Sequence, residues 1–199
     1  MADGRVITGY SKPKVALYNA GGGTPTYTNY MALARGVSVS MDLDTSDNQD
    51  FYADNMLAES AGGLFTGGTL TLGIDGLKDA ARKLIMGLPT AGTVEVNGEQ
   101  VNVYDYDDRM SIPYVGVGFV VRVMEKGVTS YVPYVLTKVI FDVEGLEAET
   151  QGEDISFQDA ELTGSITRDD STNHRWMRLG EEQETEAAAE AVIAAILGE

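Results

Sequence analysis

Alternation of apolar and polar positions with a period of two dominates this chain. In "RGVSVSMDL", Val37, Val39 and Met41 alternate with Ser38, Ser40 and Asp42, which predicts a half-buried strand. The pattern returns at 64–74, "LFTGGTLTLGI", with Leu70, Leu72 and Ile74 on one face. Within 5–18, "RVITGY" and "KVALYN" read as two strands separated by Ser11 to Pro13. "AGGGTPTYTN" at 20–29 reads as a loop, because three glycines and a proline oppose regular structure. "TVEVNGEQVNVYD" places Asn97-Gly98 between two alternating runs, a strong hairpin signal. "PYVGVGFVVRVMEKGVTSYVPYVLTKVIFDV" predicts a longer hairpin turning at Glu125 to Gly127, with Pro133 requiring an edge or a bulge. "EDISFQDAELTGSITRDD" at 153–170 predicts two short strands with Ile155, Phe157, Leu162, Gly164 and Ile166 inward, and "HRWMRL" a last one.

The period changes in two places. Asp75 can cap "GLKDAARKLIMG", where Leu77, Ala80, Ala81, Leu84 and Ile85 make a helical stripe, and Gly87 and Pro89 stop it. This predicts one α-helix over about 76–87, laid across a sheet face. From Gly180 onward, Glu residues precede an Ala-rich run in which Ala188, Ala191, Val192, Ala195 and Ile196 form a stripe. An isolated helix of that length is marginal in water, so a helical extension and a disordered arm both stay open. Between the strands, 43–62 reads as a long irregular loop, interrupted at most by a short strand at Phe51 and Tyr52. Eight to ten strands with one internal helix predict a mainly β fold, a β-sandwich or partly closed barrel over 1–179, followed by a C-terminal arm at 180–199.

Composition narrows the chemistry. The chain has 199 residues, 43% of them hydrophobic, which suffices for one domain with a genuine core. The net charge is −17; residues 180–199 hold six Glu and no Lys or Arg, which leaves −11 on the body. Such a surface repels nucleic acid, which suits solubility and also suits DNA that must slide past without sticking. With no cysteine, disulfides, thiol nucleophiles and Cys-ligated zinc are excluded. "MADGRVITGY" lacks a signal-peptide layout, and "AAAEAVIAAILG" is too short to span a bilayer and is interrupted by Glu190, so a soluble protein is expected.

Catalytic groupings are sparse. The single histidine, His174, cannot build a multi-histidine metal site, and "GGGT" at 21–24 lacks the lysine and helix of a phosphate loop. "DLDTSDNQD" brings Asp42, Asp44, Asp47 and Asp50 close in sequence, a weak calcium candidate. It departs from the helix-loop-helix pattern at position six (Asp47 for Gly) and position twelve (Ala53 for Glu). "YDYDDR" at 104–109 pairs acids with Tyr104 and Tyr106, a carbohydrate-like cluster without the opposed carboxylates of a glycosidase. No enzyme activity and no cofactor are expected.

The order of segments is more informative than any one of them. The strand and loop "GVSVSMDLDTSDNQDFYADN", then "LTLGIDGLKDAARKLIMG", "PYVGVGFVVRV", "YVPYVLTKVIF" and "LTGSITRDD" followed by a Trp resemble the major tail proteins of bacteriophages with long non-contractile tails. The resemblance covers about residues 5–178. It implies a tail-tube β-sandwich whose subunits form hexameric rings stacked into a hollow tube that conducts the genome. The partners it implies are further copies of the chain and other tail proteins such as the tape measure and tail terminator. DNA would pass through the lumen without specific binding, and the location would be the virion, with the host cytoplasm during assembly. Contacts between rings would fall in the 43–62 segment, with Asp44, Asp47, Asp50, Phe51, Tyr52 and Asn55 as candidates. Glu95, Glu99, Asp142 and Glu144 are the candidate lumen-facing acids. The alternative is a monomeric β-barrel module that binds a small ligand or carbohydrate in one internal pocket.

Overall fold

The computed structural model describes residues 4–89, 92–146, 150 and 159–198. Twelve strands and two helices occur among them: β1 Val6–Asn19, β2 Thr26–Ala32, β3 Gly36–Thr45, β4 Gln49–Ala53, β5 Met56–Ala61, β6 Phe65–Ile74, α1 Asp79–Met86, β7 Gly92–Val96, β8 Glu99–Val103, β9 Val115–Glu125, β10 Val128–Phe141, β11 Ala160–Ile166, β12 Met177–Leu179 and α2 Glu186–Leu197. Eight strands form one antiparallel sheet in the order β2-β1-β9-β10-β11-β6-β3, with β12 added beside β10. β4-β5 and β7-β8 are separate two-stranded ribbons.

The sheet folds over one main core. One end of the strand order supplies Val15, Val117, Phe119 and Leu136, the other supplies Leu70, Leu72, Ile74, Leu162 and Ile166, and α1 adds Ala81, Ile85 and Met86. The fold is thus mainly β, as the alternation predicts, with the helix laid against the sheet. Gly36 of β3 lies so close to the Tyr10 ring of β1 that a Cβ there has no room, which brings the two ends of the strand order together. Tyr10 in turn meets Phe119 edge-on at 5.6 Å, and Phe119 stacks on Tyr134 at 5.5 Å.

Several elements differ from the pattern reading, each for a local reason. β1 is continuous across Ser11 to Pro13, because a bulge absorbs Lys12 (φ 57°) and Pro13 while the Pro13 carbonyl still accepts from Leu33 N–H. Residues 26–29, expected to be loop, belong to the edge strand β2. In β3 a register shift between Gly36 and Ser38 turns Val37 outward, leaving Val39 and Met41 on the core. Asp75 does not cap α1. It accepts from Arg35 N–H at 2.8 Å and from the Arg35 guanidinium, which holds its carboxyl below the usual range; Lys78 is the residue at the cap. The helix does end at Gly87 in the left-handed conformation, as predicted. Both predicted hairpin turns form, with positive φ at Asn97 and Gly98 and at Lys126 and Gly127. Pro133 sits where the pairing on that side of β10 slips by one residue, between Tyr131 opposite Gln183 and Tyr134 opposite Leu179. Leu162, Gly164 and Ile166 point inward as expected; Ile155 and Phe157 lie outside the described residues.

The C-terminal segment is an ordered helix docked on its own sheet. Thr185 caps it by accepting from Ala188 N–H, and Gly198 closes it. Ala189, Ile193 and Leu197 pack on Ala16, Val120 and Val135, on the sheet face opposite the main core. The buried stripe is shifted from the predicted one: Ala191 and Ala195 are exposed. Nearly every position of α2 is apolar, so composition could not select the face. Gly116 and Gly118 of β9 do so by leaving the space that Leu197 and Ile193 occupy.

Candidate functional site

Two ribbons leave the folded body. The 43–62 segment, expected to be irregular, is regular β structure. β3 and β6 run on through Ser46, whose N–H donates to the Leu64 carbonyl at 2.8 Å, into the β4-β5 hairpin. Its turn is Asp54-Asn55, both at positive φ, a conformation that Asp and Asn tolerate better than other side chains. Every residue from 42 to 64 is exposed.

The pairing of Tyr52 with Leu57 and of Ala53 with Met56 puts large apolar side chains on both faces of the arm tip. Phe51 is 63% exposed, Tyr52 63%, Met56 72% and Leu57 54%. A lone two-stranded hairpin is marginal in water, and this one packs on no part of the body's core. Six carboxylates, Asp42, Asp44, Asp47, Asp50, Asp54 and Glu59, and no Lys or Arg lie between 42 and 63. The arm is therefore at once acidic and apolar.

The same segment carries the calcium candidates. Asp42 and Asp44 lie in β3, Asp47 in the crossing to β4, and Asp50 in β4, where it accepts from the Ser60 hydroxyl at 2.6 Å. Strung along extended backbone, they do not converge. Among the described residues no group of three or more acidic or His side chains is placed to hold a metal ion.

The second ribbon, β7-β8, has one apolar and one polar face. Val94 faces Val101, and Val96 faces Glu99, whereas Glu95 faces Gln100 and Thr93 faces Asn102 on the other side. Glu95 and Glu99 thus point in opposite directions and cannot both face one lumen. Asp142 is exposed at the end of β10, its N–H donating to the Thr163 carbonyl at 2.9 Å. Glu144 is differently placed. Its carboxylate accepts from Arg82 at 2.7 and 3.2 Å, so its charge is compensated at the edge of a cleft of about 480 Å³ that Tyr104 and Tyr106 also line.

A buried polar hub was not legible as such in the sequence. Asp169, 2% exposed, accepts from Ser171 N–H at 3.1 Å, from the Ser171 hydroxyl and from Arg175 N–H at 2.9 Å. It ties the 168–176 segment across β10, where Thr137 N–H donates to the Trp176 carbonyl, and Trp176 stacks on Phe65 at 4.5 Å near the root of the arm. The one available signal was the order Asp-x-Ser, in which a carboxylate bonds backbone two residues on.

Comparison of the chain with models of known protein families finds no match. Comparison with curated proteins finds none either.

Proposed function

We propose that this chain is the major tube subunit of a long, non-contractile phage tail, assembling as hexameric rings that stack into the conduit for the genome. One observation carries the reading. An arm of eleven strand residues with its aromatic and aliphatic side chains in water is stable chiefly when another surface covers it, and the order of segments resembles a family built from such contacts. The role is structural and uses no active site. In this reading the lumen wall draws on acids without a cationic partner, with Glu95 or Glu99 and Asp142 the remaining candidates, and like-charge repulsion keeps DNA mobile.

The experiment is negative-stain microscopy with size-exclusion chromatography of the purified protein over a range of concentration and salt. Rings or tubes are expected, favoured by salt that screens the charge of −17. A monomer at every concentration and ionic strength overturns the proposal.

A further inference from the structure

At the end of the β3/β6 pair opposite the arm lies a pocket of about 600 Å³. Lys12, Lys14, Arg35 and Lys78 rim it, over a floor that includes Ala32 and Ala34. Two carboxylates stand against these four cations. Glu190 of α2 pairs with Lys14 and, at 3.7 Å, with Lys12, and Asp75 pairs with Arg35. Two positive charges are left over, on a molecule whose net charge is −17. The Arg35 side chain is 89% exposed, and Lys78 has no ion pair among the described residues. Lys12 and Pro13 are the bulge of β1, which turns the lysine outward at this rim.

The placement of the two patches is fixed by register. Gly36 pairs with Ile74 at the pocket end, and Thr45 pairs with Phe65 at the arm end. Strands of ten residues separate them by roughly 30 Å at about 3.3 Å per residue. Acidic arm and cationic pocket therefore face opposite ways along one axis. We propose that the arm of one copy seats in the pocket of a second copy, so that the chain associates head to tail along β3 and β6. The apolar tip (Phe51, Tyr52, Met56, Leu57) covers the apolar floor. The arm carboxylates meet the surplus lysine and arginine charge, and guanidinium or ammonium groups lie over the exposed rings. Two arms repel each other, as do two pockets, so a two-fold symmetric pairing through either patch is disfavoured and the contact propagates. The inference rests on the tube reading only for what the contact builds, the stacking of one ring on the next.

A charge-reversal mixing experiment tests it. One variant carries Asp44→Lys, Asp47→Lys, Asp50→Lys and Glu59→Lys in the arm, which turns its six negative charges into a net charge of +2; the other carries Lys12→Glu and Lys78→Glu at the pocket. All six side chains are exposed, and far-UV circular dichroism checks that each variant folds. Followed by sedimentation and microscopy, each variant alone loses head-to-tail polymer. The equimolar mixture regains it, because each arm then finds a pocket of opposite sign and the two variants alternate. Wild-type-like polymer from either variant alone overturns the inference, as does a mixture of folded variants that stays unassembled. Wild-type rings that never stack would sink this contact and leave the ring reading standing. Linear head-to-tail chains without rings would do the reverse.

Discussion

Gly118 offers a test of how the C-terminal helix is held. It lies on the β9 face covered by α2, and a Cβ built there would lie closer to Ile193 Cγ2 than van der Waals contact permits, and 3.3 Å from Leu197 Cδ1. Ile193 is β-branched and fully buried, so it cannot swing aside. Gly118→Ala would ordinarily stabilise a strand by about 0.5–1 kcal/mol, because glycine loses the most backbone entropy on folding. Overpacking opposes this with about 1–3 kcal/mol, so a net loss of roughly 1–2 kcal/mol is expected. Ile193→Ala alone removes a buried side chain and costs about 2–5 kcal/mol. In the double variant the new methyl enters the space Ile193 vacates. The combined cost should then fall short of the summed single costs by about 0.5–3 kcal/mol, the range for residues in contact. Urea unfolding gives the four free energies, and hydrogen exchange of the α2 amides shows whether the loss is helix undocking or global unfolding. A Gly118→Ala variant as stable as wild type, or strictly additive costs, would refute the close-packing argument.

The other expectations concern separate parts of the molecule. Replacing residues 47–62 by a two-residue Asn-Gly turn should leave the thermal midpoint of the body unchanged, since every residue from 42 to 64 is exposed, and should abolish tubes in the microscope. Asp169→Ala leaves the N–H groups of Ser171 and Arg175 without their acceptor; urea unfolding should show a loss of about 1–3 kcal/mol, and a variant as stable as wild type would contradict the hub. Glu190 has its carboxyl held below the usual glutamate range, first by the hydrogen bond from Lys14 and then by the nearby lysine charges. Its contribution is therefore present above the unfolded-state value and lost as pH falls through the folded-state one. Exchange protection of α2 should drop on acidification through that window, and Glu190→Gln should lower protection at neutral pH and remove that part of the acid dependence.

Local rules carried the sequence a long way where each residue had one plausible neighbour. The alternation in 64–74 and 160–166 placed Leu70, Leu72, Ile74, Leu162 and Ile166 in the core, and Asn97-Gly98 and Lys126-Gly127 fixed two turns, because period and positive φ are properties of the chain itself. The arm was legible as a long segment with an unusual charge but not as a ribbon. Polar residues at 44–50 mask a strand whose pairing is set by the extension of β3 and β6 and not by a core face. The stripe of α2 was misplaced for the opposite reason. In a nearly all-apolar helix, any face can be buried, and the glycine pair in β9, some seventy residues earlier in the chain, chooses it. Along the chain Lys12, Lys14, Arg35 and Lys78 are scattered cations and Glu144 is one acid among many. Tertiary structure alone gathers the first four at one end of the β3/β6 axis and neutralises Glu144 on Arg82, because charge acts through distance in space, which the order of residues does not give.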